Sequence, residues 1–255
     1  MMIVDVHAHY DDEAFLNDLE DVMAKLKDEN IIAISSSSSI ESSIENIEIA
    51  KKYKNIYITV GIHPHEAKDA PSSFEDILFE LAKFEKNVAI GEIGLDYHYD
   101  FSPRDVQKEI FIRQIEVAKA LNLPIVVHSR EAHKDTLDII LDKAIGKIPV
   151  LIHCYSGSVE MSRILKKYGI YISVGGVVTF QNAKKLVEVV KEYPLELLML
   201  ETDSPYLTPH PHRGKRNDST YLKYVITKIA EIKGVSEDEI IEKTTKNAMN
   251  VFGIK

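Results

Sequence analysis

Ile3-Val4-Asp5-Val6-His7-Ala8-His9 is an apolar run that closes on two histidines one residue apart. Residues i and i+2 of a strand point to the same face, so His7 and His9 aim two imidazoles at one point. Imidazoles paired in that way suit a divalent transition metal. Asp5 shares their parity one step deeper and is expected to orient a ligand as a hydrogen-bond acceptor. One such pair carries little alone. What decides the matter is whether other apolar runs end the same way.

Most of them do. The run Ile56 to Gly61 leads into His63 and His65, Val88 to Glu92 ends on a carboxylate, and Pro124 to His128 and Ile148 to His153 each end on a histidine. Leu197 to Glu201 stops just short of Asp203, and Ile31 to Ile34 and Ile170 to Val174 complete eight runs. Helical spacing of apolar residues fills the intervals: 11–29, a stretch around Ile44 to Ala50, 72–84, 103–121, 136–144, 158–168 and 183–191. Two more helices, 221–232 and 236–252, finish the chain. Ser102-Pro103-Arg104-Asp105 reads as a helix start with Ser102 as the cap and Pro103 in the first position. Gly169 and Pro194 read as stops. The serine run Ser35 to Ser39 reads as a flexible loop at a strand end, and 93–101 as a loop after the fourth strand.

The runs are continuously apolar and do not alternate, as expected of parallel strands buried on both faces. Eight of them alternating with helices over 255 residues predict an α/β fold, a (β/α)8 TIM barrel formed by residues 1–255 as a single domain. A doubly wound sheet finds no support, because no glycine-rich phosphate loop follows the first strand. With 45% apolar and 28% charged residues the chain reads as soluble and globular. The net charge of −9 argues against broad nucleic-acid binding but permits a local basic site. A single cysteine, Cys154, and the lack of a long apolar run point to the cytoplasm and away from a membrane.

In such a barrel the reacting groups sit at the C-terminal ends of the strands. His7, His9, Glu92, His128, His153 and Asp203 all fall there. Four histidines and two carboxylates exceed the needs of one tetrahedral ion and fit two ions sharing a carboxylate. Glu92 lies between the two histidine pairs in strand order and is the natural bridge. Asp203 comes beside His7 and His9 when the barrel closes. Two ions so held activate a water for hydrolysis, and Asp203 is placed to take its proton.

The chain resembles the TatD-type metal-dependent deoxyribonucleases, a branch of the amidohydrolase-like barrels. The stretches that carry the likeness are Asp5 to His9, Gly61-Ile62-His63-Pro64, Gly91 to Tyr97, Gln107 through Gln114 and Leu123 to Arg130. His153-Cys154-Tyr155-Ser156-Gly157, Glu201 to Tyr206 and Arg213 to Asn217 extend it over the whole chain in order. The resemblance implies two divalent ions, magnesium, manganese or zinc, held by His7, His9, Glu92, His128, His153 and Asp203. It implies cleavage of phosphodiester bonds, as a 3′-to-5′ exonuclease on single-stranded DNA. Many amidohydrolase-like barrels bridge their metals with a modified lysine; Glu92 stands there instead, as in the TatD branch. Some relatives lack the first histidine pair, which this chain keeps. Asp218-Ser219 stands where Glu-Pro often follows the arginine loop.

Further roles follow from the same likeness and from position. His63 resembles an active-site residue near the substrate phosphate and joins Asp203 and Glu92 as a catalytic candidate. Arg213 and Arg216, with Lys215, are candidates for phosphate contacts. Tyr97 is expected to stack on a base, with Asp96 and Tyr155 at the mouth. Glu201 either orients a histidine or closes the barrel interior. His65 is expected to face solvent, and His98, His133, His210 and His212 are not expected to be ligands. Two other functions stay open: hydrolysis of another ester or amide, as by an aminoacyl-tRNA deacylase, and a non-catalytic metal-binding barrel.

Overall fold

A computed structural model describes residues 1–254. Each apolar run forms a strand, and each strand is followed by a helix: β1 (Ile3–Ala8), α1 (Leu19–Asp28), β2 (Ile31–Ser35), α2 (Ile40–Lys52), β3 (Ile56–Val60), α3 (Phe74–Leu81), β4 (Asn87–Asp96) and α4 (Arg104–Leu121). The second half repeats the pattern with β5 (Ile125–Arg130), α5 (His133–Lys143), β6 (Val150–Ile152), α6 (Val159–Lys167), β7 (Tyr171–Val174), α7 (Lys184–Glu192), β8 (Leu198–Leu200), α8 (Leu222–Lys233) and α9 (Glu237–Phe252). The strands lie in the order β1 to β8, every neighbour parallel, which is the (β/α)8 barrel. Between β1 and β8 the closure is sparse. The backbone contributes Asp203 N–H to His7 O at 2.9 Å and His9 N–H to Ser204 O at 2.7 Å. The Asp5 carboxylate completes it by accepting from Thr202 N (3.0 Å) and Thr202 Oγ1 (2.6 Å).

Two apolar clusters result. The larger lies between the strands and the helical ring and includes Phe15, Phe74, Phe111 and Tyr193. The smaller joins Val4, Val6, Ile34, Val88, Val126, Leu151 and Met199 from six strands, so it fills the barrel interior. Phe252 of α9 and Ile254 pack against it and close its floor. No helix among the described residues is long and apolar enough to cross a membrane.

Several local expectations change. The stretch 11–29 is not one helix. Asp12 accepts from Ala14 N and starts a single 3-10 turn, Glu13–Phe15, before α1 begins. That turn buries Phe15 against Tyr10, ring centroids 5.0 Å apart. β4 runs on to Asp96 where a loop after Glu92 was expected, because Ile93 and Leu95 continue to bury against the helices. Gly94 permits this: its φ is +141°, and a Cβ there would meet His128 O at 2.0 Å. Ser102 does not cap α4; Pro103 stands at the cap position. The Ser102 hydroxyl instead donates to His65 O at 2.8 Å and accepts from Lys68 N.

Asp5 also departs from expectation. Val4 and Val6 face the interior, yet Ala8, of the same parity, packs in the outer cluster. A register irregularity between Asp5 and Ala8 switches the faces. Asp5 therefore points outward to Thr202 and to the Ser219 hydroxyl (2.6 Å), not toward a histidine ring.

Candidate metal centre

The serine run, read as a flexible loop, is a buried hydrogen-bonded segment that sets the first half of the site. Ser35, Ser36 and Ser37 are fully buried. Ser36 Oγ lies 3.0 Å from His7 Nδ1, and Ser36 O lies 3.0 Å from His9 Nδ1. A carbonyl can only accept, so His9 carries a proton on Nδ1 and turns Nε2 toward the site. Ser37 O accepts from Glu92 N at 2.9 Å, and Ser38 O accepts from His63 N at 2.9 Å. Ser39 caps α2 through Ser42 N. The chain end of β2 thereby places side chains from β1, β3 and β4.

With their Nδ1 atoms engaged, His7 and His9 bring their Nε2 atoms to 3.2 Å of one another. Glu92 Oε2 lies 3.3 Å from His7 Nε2 and 3.7 Å from His9 Nε2. Asp203 Oδ1 lies 3.7 and 3.5 Å from the same two atoms. A tetrahedron with ligands ~2.1 Å from its centre has edges of about 3.4 Å, close to the spacings among His7 Nε2, His9 Nε2 and Glu92 Oε2, a trio that could hold a divalent ion, with Asp203 Oδ1 beside the two histidines. On the other side Glu92 Oε1 lies 2.8 Å from both His128 Nδ1 and His153 Nε2, which are 3.3 Å apart. Asp96 Oδ2 holds His128 Nε2 at 3.0 Å and turns the opposite nitrogen inward. His153 Nδ1 faces Glu201 Oε2 at 3.5 Å, and Glu201 is fixed by the Ser173 hydroxyl at 2.6 Å. Carboxylates and serines behind the histidines fix ring orientation, as in metal sites generally.

The charges are strongly coupled. Burial opposes ionising Glu92, but His153, His63 and His7 outweigh it and hold its carboxyl well below the usual range. Asp203 is likewise held down at about 2, against burial, chiefly by its hydrogen bond with His9. His9 is held up at about 9: burial disfavours the imidazolium, and Asp203 and Glu92 overcome that. His63 goes the other way. Burial pushes it down to about 4 despite Glu92. Its Nδ1 accepts from His65 N at 3.2 Å, so its proton sits on Nε2, 3.4 Å from Glu92 Oε1. His63 is thus a neutral hydrogen-bond donor.

These groups line a cleft of about 980 Å³ at the C-terminal ends of the strands. Asp96 lines it too, but Tyr155 is turned away, with its hydroxyl on Ser158 O at 2.8 Å. Of the expected substrate contacts, His63 lines the cleft, whereas Tyr97, Arg213 and Arg216 do not. Tyr97 donates to Asp135 at 2.8 Å and lies under Arg104, 4.3 Å away. Arg216 pairs with both Asp18 oxygens at 2.6 and 2.7 Å. Arg213 stacks on Phe180 at 4.0 Å and donates to Thr208 O. His65 does not simply face solvent, because Asp96 Oδ2 holds its Nε2 at 3.0 Å. Ser36 was missed because nothing distinguishes it within five serines. Asp96 was missed as an orienting group because its distance from His128 is spatial.

Comparison with known proteins gives the family of the chain. A family model described as TatD related DNase matches residues 4–253. A Bacillus subtilis protein named an uncharacterized metal-dependent hydrolase, YabD, is 44% identical over 254 residues, spanning 99% of this chain and 100% of its own. The Escherichia coli K12 protein YcfH, named likewise, is 36% identical over 100% of this chain and 97% of its own. Among solved structures, the E. coli TatD homolog YJJV superposes with a TM-score of 0.93 at 26% identity, covering 99% of this chain and 98% of its own.

Proposed function

We propose that this chain, which belongs to the TatD-related DNase family, is a metal-dependent hydrolase that cleaves DNA phosphodiester bonds as an exonuclease on single-stranded DNA. The whole chain, residues 1–255, acts as one catalytic domain. The observation that carries the reading is the disposition of Glu92, whose two oxygens face two separate sets of histidine nitrogens. The family description and the names of the relatives supply the substrate class and the metal dependence.

His7, His9, Asp203 and Glu92 would hold one divalent ion; Glu92, His128 and His153 would hold the second. Bound magnesium, manganese or zinc would lower the pKa of a water and offset charge on the phosphoryl oxygens. Asp203, ionised at neutral pH, accepts the proton of the attacking water at a carboxylate oxygen. The water oxygen forms the new bond to phosphorus, the bond to the leaving sugar oxygen breaks, and that oxygen takes up a proton. His63, neutral and carrying its proton on Nε2, donates a hydrogen bond to the phosphoryl oxygen as charge builds there. Ser36 and Asp96 keep the imidazoles of His7, His9 and His128 from turning. The single cysteine fits a reducing compartment, and we place the reaction in the cytoplasm.

The test is a metal-reconstituted substrate panel offering single-stranded DNA and an aminoacyl ester in parallel, with EDTA treatment and Glu92→Ala as controls. DNA degradation that needs a divalent metal and is lost in Glu92→Ala is expected. Ester turnover without DNA degradation overturns the nuclease reading. Full activity in Glu92→Ala overturns the bridging carboxylate.

A further inference from the structure

The arginines of this chain divide sharply. Arg104, Arg113, Arg163, Arg213 and Arg216 each donate to a carboxylate or a backbone carbonyl. Arg130 makes no side-chain hydrogen bond or ion pair among the described residues, although it is exposed and lines the metal cleft. It is the last residue of β5, two after His128, so both side chains leave the strand on the same side. The neighbouring Glu131 does not neutralise it, being paired with His98 at 2.9 Å. No lysine and no other arginine lines the cleft among the described residues. Among the described residues Arg130 is the one permanent cation there, in a cleft also lined by Asp11, Asp12 and Glu66.

The Arg130 guanidinium lies 4.9 Å over the Tyr99 ring. Tyr99 stacks on Phe101, centroids 5.2 Å apart and 25° between planes. Both line the cleft and are about half exposed, at 47% and 55%. Apolar rings are left in water beside a polar site where something planar is to cover them. The pair joins the metal centre through His65, which packs 4.8 Å from Phe101 and shares Asp96 Oδ2 with His128. A free guanidinium against an aromatic pair, next to a hydrolytic centre, matches the two chemistries of a nucleotide: phosphate oxygens and a flat base.

We propose that Arg130, Tyr99 and Phe101 form a nucleotide subsite beside the metal centre: Arg130 pairs with a non-scissile phosphate of the strand, and the Tyr99–Phe101 pair stacks a base. The assignment rests on the nuclease reading above. It replaces Tyr97, Arg213 and Arg216, which the fold commits elsewhere, and it explains how a chain with a net charge of −9 grips a polyanion.

The test crosses protein and substrate changes. Short single-stranded oligonucleotides carry one neutral methylphosphonate, or one abasic sugar, stepped along the strand from the cleaved end. Each is offered with divalent metal to the wild type, to Arg130→Gln, to Arg130→Lys and to Tyr99→Leu/Phe101→Leu. At one position the methylphosphonate raises the wild-type KM by roughly tenfold or more, as Arg130→Gln does with the natural strand. Combined, the two losses do not add. An abasic sugar and the double leucine variant show the same coupling, also roughly tenfold. Arg130→Lys, which keeps the charge without the fork, falls between Arg130→Gln and the wild type. Additive losses, or a wild type indifferent to both substrate changes at every position, overturn the subsite and leave the nuclease reading standing. A wild type that degrades no oligonucleotide with any divalent metal overturns both. If the double leucine variant does not fold, the coupling between the methylphosphonate and Arg130→Gln still decides the phosphate contact, and a wild type indifferent to both substrate changes still overturns the subsite.

Discussion

At the scale of the residue, the candidate ligand side chains stand at apolar-run ends, where the sequence shows them directly. The residues that orient them are not shown in that way. Ser36 binds two histidines at once through its hydroxyl and its carbonyl. Ser36→Ala is expected to weaken metal affinity by roughly 10- to 100-fold, and to cost the apo protein about 1 to 3 kcal/mol because His7 Nδ1 is left buried without its partner; metal titration and calorimetry check it. Titration state gives a second prediction. His9 is held up at about 9 by Asp203 and Glu92 against burial, so below that pH an ion must displace a proton to bind Nε2. Metal affinity should therefore rise as pH is raised toward 9, with proton release. Calorimetry in buffers of different ionisation enthalpy reads this directly, and uptake with no proton exchange would contradict it. Arg130 was overlooked for Arg213 and Arg216 because a cluster of cations is conspicuous in a sequence. Pairing decides which cation is free, and pairing with Asp18 or Phe180 is a distance in space.

At the scale of the element, the eight strands followed from continuous apolar runs, but their ends and faces did not. β4 continues past Glu92 because Gly94 lets it approach β5 closely. Gly94→Ala would put a methyl group 2.0 Å from His128 O. It is expected to displace β5 and reduce metal binding as well as stability, measured by metal content and thermal unfolding together. The seam between β1 and β8 has few backbone bonds, and Asp5 adds side-chain bonds across it. Asp5→Ala leaves the Thr202 N–H and hydroxyl buried without their acceptor. A loss of about 1 to 3 kcal/mol is expected, read by denaturant unfolding, without the removal of any metal ligand. The parity argument that aimed Asp5 at a histidine failed because a period-two pattern holds only while the strand is regular, and β1 is irregular between Asp5 and Ala8.

At the scale of the whole molecule, the apolar core and the metal centre are distinct regions. The interior cluster and the floor formed by α9 lie below the ligands and do not include them. Removing metal with EDTA should therefore abolish activity and leave helix content, read by circular dichroism, unchanged. Returning the ion should raise the unfolding free energy in proportion to the logarithm of its concentration, by about 4 kcal/mol at a thousand times Kd. Periodicity and strand-end residues by themselves determined the barrel and picked out the candidate ligands, because burial on both faces and the C-terminal rim are properties of local pattern. The tertiary structure alone decided which nitrogen of each ring faces inward, that Ser36, Ser37 and Ser38 hold side chains from three strand ends, and that Arg130 rather than Arg213 or Arg216 lines the cleft. Those are matters of distance between residues far apart in the chain, and a linear pattern carries no distances. The run Ile3 to His9 held both kinds of information: its composition announced a strand ending in ligands, and its bulge, visible only in the fold, sent Asp5 to the seam.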